Sequence, residues 1–131
     1  MTRFKLTIAY DGTNYSGWQV QPGLRTVQQT LEEAIAATVG AKVKLHGSGR
    51  TDRGVHARGQ VAHFDAETRM SENAMMPALN SRLPPDIRIL DAAIVPDDFH
   101  ARRSATAKEY RYVVWNGPVM LPQERLIYYI F

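Results

Sequence analysis

The sequence predicts an α+β domain in the order β-α-β-β-α-β, followed by one added strand. Three observations carry this reading. Several short segments alternate apolar and polar side chains. Two longer stretches repeat apolar residues at helical spacing. Glycine, proline or a capping residue marks the changeovers.

The elements follow in order. Phe4, Leu6, Ile8 and Tyr10 alternate with Lys5, Thr7 and Ala9, as in a half-buried strand, and Asp11-Gly12 ends it with a turn. Residues 12 to 25 contain Gly12, Gly17, Pro22 and Gly23, so they read as a loop, with Tyr15 and Trp18 embedded in it. Thr26-Val27-Gln28-Gln29 has the form of a capping box, Val27, Leu31, Ala34, Ile35 and Thr38 share one helical face, and Gly40 is the expected stop. Lys42 to His46 alternates again as a second strand, Gly47 to Gly54 is a glycine-punctuated loop, and Gln60 to Asp65 is a third strand. Ser71 caps a second helix with Met75, Met76, Leu79 and Leu83 as its stripe, stopped by Pro84-Pro85. Ile87 to Val95 forms a fourth strand and Lys108 to Trp115 a fifth. This is the ferredoxin-like pattern: a mostly antiparallel sheet with both helices on one face. Leu126 to Phe131 is strongly apolar; it is expected either to pair with the sheet as a last strand or to lead toward elements beyond it.

The 131 residues suit one domain, with 44% apolar and 22% charged side chains. No apolar run approaches the length of a membrane span, and the N-terminus leads into alternation without a signal-type apolar block, so a cytoplasmic location is expected. The absence of cysteine excludes disulfides and thiolate metal sites. A net charge of +3 is compatible with an RNA partner, and the distribution says more than the sum. Arg50, Arg53 and Arg58 crowd one segment; Arg102, Arg103, Lys108 and Arg111 crowd another.

The most informative stretch is Gly47-Ser48-Gly49-Arg50-Thr51-Asp52-Arg53-Gly54-Val55-His56-Ala57-Arg58-Gly59-Gln60. A lone carboxylate, Asp52, sits among arginines in a glycine-rich turn. Nearby positive charge favours its ionised form. Glycines allow the close approach to a ligand that a nucleophile or base needs. The same residues would equally make an Asp–Arg clamp that holds a tight loop. Other chemistries are excluded more easily. Gly47-x-Gly49 lacks the Gly-Lys-Ser/Thr of a phosphate loop. His46, His56, His63 and His100 have no metal-ligand spacing, so no metal is expected. Arg58 to Phe64 puts Gln60 and Ala62 where an RNA recognition motif needs stacking aromatics.

The Gly-Arg-Thr-Asp-Arg-Gly-Val-His-Ala core resembles the catalytic signature of the tRNA pseudouridine synthase A family. Ala9-Tyr10-Asp11-Gly12 through Gly17-Trp18-Gln19 and Gln21-Pro22 resembles its first strand and loop. Leu79-Asn80 with Leu83 to Ile87 resembles a middle block, and Phe99-His100-Ala101-Arg102, Ser104-Ala105 and Lys108-x-Tyr110-Arg111-Tyr112 a later one. The likeness runs from about residue 4 to 117. Arg103 departs from it, standing where many members have an aromatic.

The resemblance implies isomerisation of uridine to pseudouridine in the anticodon stem–loop of tRNA, with no cofactor. Asp52 is the implied essential carboxylate and Tyr110 the active-site tyrosine; Arg50 and Arg53 are expected beside the substrate, and Arg58, Arg102 and Arg111 on RNA phosphates. Trp18 could stack on RNA or pin its loop, and His56 and His100 are expected to be structural. Family members are about twice this length and are expected to work as homodimers. Residues 1–117 would be the N-terminal catalytic domain and 118–131 the start of a connection to a second half. The alternatives are a non-catalytic RNA-binding half-domain and a structural domain in which Asp52 is a clamp.

Overall fold

A computed structural model describes residues 1–102 together with Tyr128–Tyr129. The elements are β1 (Thr2–Tyr10), a 3-10 turn (Gly12–Asn14), α1 (Val27–Val39), β2 (His46–Gly47), β3 (His56–Ala66), α2 (Glu72–Asn80), β4 (Ile87–Val95) and β5 (Tyr128–Tyr129). The order β2-β3-β1-β4, antiparallel at every pairing, is that of a ferredoxin-like sheet, as expected. The added pairing is parallel: Tyr128 and Tyr129 stand opposite His56 and Ala57, on the edge of β3 away from β1. Of the apolar segment Leu126 to Phe131, Tyr128 and Tyr129 are the described residues. The expected strand over 108–115 lies outside the described residues.

Alternation on the strands decides which face is covered. Phe4, Leu6, Ile8 and Tyr10 of β1 and Ala62 and Phe64 of β3 join the buried faces of both helices in one apolar cluster. Phe4 and Phe64 face each other in register and stack at 5.4 Å. Complete burial of each such side chain contributes roughly 1.5–3 kcal/mol. The helix ends follow the capping chemistry. Thr26 Oγ1 accepts the Gln29 N–H, Gly40 closes α1 at φ +81, and Ser71 Oγ accepts the Ala74 N–H.

Three elements differ in their boundaries from the sequence reading. β3 begins at His56, four residues before the expected Gln60, because its ladder with β1 continues past a register shift to set Ala57 opposite Tyr10. β2 shrinks to His46–Gly47 because α1 side chains take the backbone groups a ladder would use: the Leu45 N–H donates to Glu32 Oε2, and Gln28 Nε2 donates to the Leu45 carbonyl. α2 ends at Asn80, before Leu83 and Pro84. The Asn80 amide pairs with both backbone groups of Ile89, and the Arg88 guanidinium donates to the carbonyls of Asn80, Leu83 and Pro84. The chain is thereby drawn onto β4. No helix among the described residues is long and apolar enough to cross a membrane.

Candidate active site at the ends of β1 and β3

The glycine-rich loop between β2 and β3 lies where β1 ends, and the loop that follows β1 packs directly on it. The Trp18 N–H donates to the Thr51 carbonyl at 3.0 Å, and the Gly54 N–H to the Tyr15 carbonyl at 3.4 Å. Ser48 Oγ donates to Gln60 Oε1, whose amide donates back to the Gly49 carbonyl at 2.6 Å. The Asp52 carbonyl accepts the Val55 N–H and closes the turn. Two glycines permit this contact. A Cβ on Gly12 would lie 1.9 Å from the Val55 carbonyl oxygen. Gly17 has φ +86, and a Cβ there would lie 2.8 Å from the Thr51 carbonyl oxygen. The middle block joins the same assembly, because Tyr15 Oη donates to Asp86 Oδ1 at 2.6 Å and the Asp11 N–H to the Asp86 carbonyl at 2.9 Å.

Inside the turn the side chains sort by task. Thr51 is buried and its hydroxyl pairs with Tyr10 Oη at 2.6 Å. Burial pushes the Tyr10 phenol up to about 12, so it stays protonated. Asp52 points the other way, to solvent. With Arg50 and Arg53 it lines a cavity of about 310 Å³, walled by Ser16, Gly17 and Gln19. Among the described residues none forms an ion pair or hydrogen bond with the Asp52 carboxylate. The described contacts that hold the loop are those of its backbone, Thr51 and the Ser48–Gln60 pair, and none of them involves the carboxylate.

His56, 2% exposed, follows the turn. Its Nδ1 accepts the Gly12 N–H at 3.0 Å and lies 3.1 Å from Asp11 Oδ1. Burial holds the imidazole below its ordinary value, against the pull of Asp11. A neutral ring whose Nδ1 accepts from Gly12 makes His56 a support for the 3-10 turn; the same Nδ1 then has no proton to give the Asp11 carboxylate, which lies beside it without a hydrogen bond. Trp18 is 3% exposed and packs against Tyr10 and Gly47, which assigns it to pinning the loop.

The sheet face opposite the helices carries a second assembly. Arg3 makes a two-point ion pair with Asp65 at 2.7 and 2.8 Å and also donates to the Phe99 carbonyl. This ties the segment 99–102 across the sheet. His46 stands opposite His63 in register, and His100 joins them, with ring centroids 4.7 to 5.7 Å apart. The Ala101 N–H donates to His63 Nδ1 and the Arg102 N–H to His100 Nδ1. A neutral ring whose Nδ1 accepts carries its proton on Nε2. His63 and His100 are therefore donors at Nε2, whereas a metal ion requires a lone pair there. Burial, followed by the positive charge of Arg3, pushes His63 down to about 4.

Of the residues singled out in the sequence, Arg50, Asp52 and Arg53 come together at one cavity. Arg102 lines a neighbouring one with Lys44, His46 and His100. Arg58 is exposed on β3 beside a register shift opposite Ala9 and lines neither cavity. Tyr110 and Arg111 lie outside the described residues. The histidine trio was not visible as a spacing. Its only sequence signal was the cross-strand register that sets His46 against His63. Lys44 was missed as well, its place depending on the shortened β2.

Residues 6–102 match the family model described as tRNA pseudouridine synthase. The chain is 57% identical over 126 residues to a protein of Maridesulfovibrio salexigens named tRNA pseudouridine synthase A, covering 95% of this chain and 46% of that protein. Proteins of the same name from a Geobacter species and from Akkermansia muciniphila are 52% and 53% identical, over 96% and 93% of this chain and 51% and 47% of theirs. The chain thus spans about half the length of the curated relatives it matches.

Proposed function

This chain belongs to the tRNA pseudouridine synthase family, and from that premise we propose that it contributes Asp52 as the essential carboxylate for converting uridine to pseudouridine in the anticodon stem–loop of tRNA. The observation that carries the reading is the state of Asp52: exposed at a cavity, between two arginines, on a loop anchored by everything except that side chain. A group held in place but left unengaged suits a reacting centre.

The reaction is an isomerisation. The N1–C1′ bond breaks, the uracil turns, C5 bonds to C1′, the C5 proton leaves and N1 regains one. Atoms and electrons balance without a co-reactant. An ionised carboxylate has three roles open to it: attack on C1′, addition to uracil C6, or removal of the ribose C2′ proton. A base stacked in a helix must be flipped out to reach it, at a cost of a few kcal/mol. Arg50 and Arg53 flank the cavity and suit the phosphates of the flipped nucleotide. Tyr110 is proposed to stack on the uracil, with Arg58, Arg102 and Arg111 on the backbone, and the whole protein to act as a cytoplasmic homodimer.

The test is tritium release from tRNA carrying 5-tritiated uridine, with this chain in its full-length context. Asp52→Asn is expected to lose turnover by at least about a thousandfold, about 4 kcal/mol of transition-state stabilisation, while retaining tRNA affinity. Unchanged turnover would end the assignment. The length of the relatives supports a second reading for the 131-residue chain by itself, namely RNA binding without turnover. Tritium release by the isolated chain would exclude it.

A further inference from the structure

A second cavity, about 320 Å³, lies beside the Asp52 cavity. Lys44, Arg50 and Arg102 line it, with His46 and His100, and none of its described lining residues is acidic. Lys44, Arg50 and Arg102 are exposed, so their charges reach solvent without a desolvation penalty. Two observations bear on its ligand. Three cations with no carboxylate among them select an anion, and arginine with lysine is the combination that holds phosphate. The ring of His100, kept in the Nε2–H form by the Arg102 N–H, adds donor character to the same wall and argues against a metal ion.

The position of the cavity narrows the anion further. Arg50 and Gln19 line both cavities, so the two share one wall. A group seated in the second lies next to whatever occupies the first. Resting on the reading of Asp52 given above, we propose that the Lys44–Arg102 cavity binds a backbone phosphodiester of the RNA strand next to the uridine at Asp52. Arg50 then stands between the two nucleotides, and the cavity sets the register in which the strand presents its base. The site positions the strand and takes no part in bond making.

The test uses the 131-residue chain and a short fluorescent RNA stem–loop, with anisotropy read between about 50 and 200 mM salt. Lys44→Ala with Arg102→Ala is expected to weaken binding about tenfold and to flatten the plot of log K against log salt by about one unit. Arg69→Ala, at an exposed arginine that lines neither cavity, serves as control and is expected to change neither. Lys44→Glu alone, with thermal unfolding checked, gives the same direction without depending on the double variant. Wild-type affinity and salt slope in both variants, with RNA still bound, would overturn the phosphodiester site and leave the Asp52 reading standing. Inorganic phosphate, followed through the backbone amides of Gly47 and Arg102, provides the second arm. Phosphate-induced shifts in a chain that binds no RNA would overturn the phosphodiester site and leave a free-anion site, while the Asp52 reading is decided separately by turnover in the full-length context. Shifts that vanish in the double variant, together with its weakened RNA binding, would support the proposal.

Discussion

Two aspartates, Asp52 just before β3 and Asp65 near its far end, differ in what engages their carboxylates. Asp65, near the end of the strand, receives two hydrogen bonds from Arg3 and through it ties β1, β3 and Phe99 together. That guanidinium holds its carboxyl below the usual carboxylate range. Asp52, just before the strand begins, has arginines on both sides in sequence and on its cavity wall, yet it is engaged by none of the described residues. Sequence proximity of opposite charges does not make a clamp. The clamp formed between residues 62 positions apart, whereas the neighbours in sequence share a cavity. The fold secures the Asp52 loop by other means, through Gly12, Gly17, Trp18, Thr51 and Gln60.

The largest effect should come from those other means. Gly12→Ala puts a Cβ against the Val55 carbonyl, a backbone atom that cannot swing aside. A loss of about 3 kcal/mol or more is expected in denaturant unfolding. A near-neutral result would show that the loop is not held where the comparison with Asp65 requires.

Next in size is a pH dependence on the Asp65 side. His63 is pushed down to about 4 in the fold, against an ordinary value of 6.5. The unfolded chain takes up a proton there that the folded chain refuses, so stability is full above pH 6.5 and falls as pH drops toward 4. His56 is shifted in the same direction and adds to the slope. A loss of about 2 kcal/mol across the window is expected. His63→Asn, which keeps an acceptor for the Ala101 N–H, should remove part of it. A flat profile between pH 6.5 and 4.5 would contradict the neutral, buried ring.

A smaller effect belongs to Tyr10→Phe. It deletes one buried hydrogen bond to Thr51, for about 1 kcal/mol of stability. Faster hydrogen exchange in residues 49–54 than in the sheet would show that this bond steadies the Asp52 turn. Equal acceleration throughout would assign it to general packing.

Much of this architecture was legible in the sequence because local chemistry determined it. The alternation of β1, the caps at Thr26, Gly40 and Ser71, and the span Ile87–Val95 depend on neighbours a few residues away. The Asp52 loop was legible as a site because its glycines and charges are contiguous. What depended on distant partners was not. β2 lost residues to side chains of α1, α2 stopped where Asn80 found Ile89, and His46, His63 and His100 met only through strand register and the Arg3 tie. The sequence likewise did not show that Arg3 pairs with Asp65, or that none of the described residues engages the Asp52 carboxylate.

The central claim is that Asp52 is held for chemistry and contributes nothing to holding the fold. Its most direct test is thermal unfolding of Asp52→Asn beside Asp65→Asn in the 131-residue chain, at neutral pH and low salt. Asp65→Asn should lower stability by about 1 kcal/mol, as expected for a well-aligned, partly exposed ion pair. Asp52→Asn should stay within about 0.5 kcal/mol of the parent. A loss at Asp52 equal to or larger than that at Asp65 would contradict the account and make Asp52 the clamp.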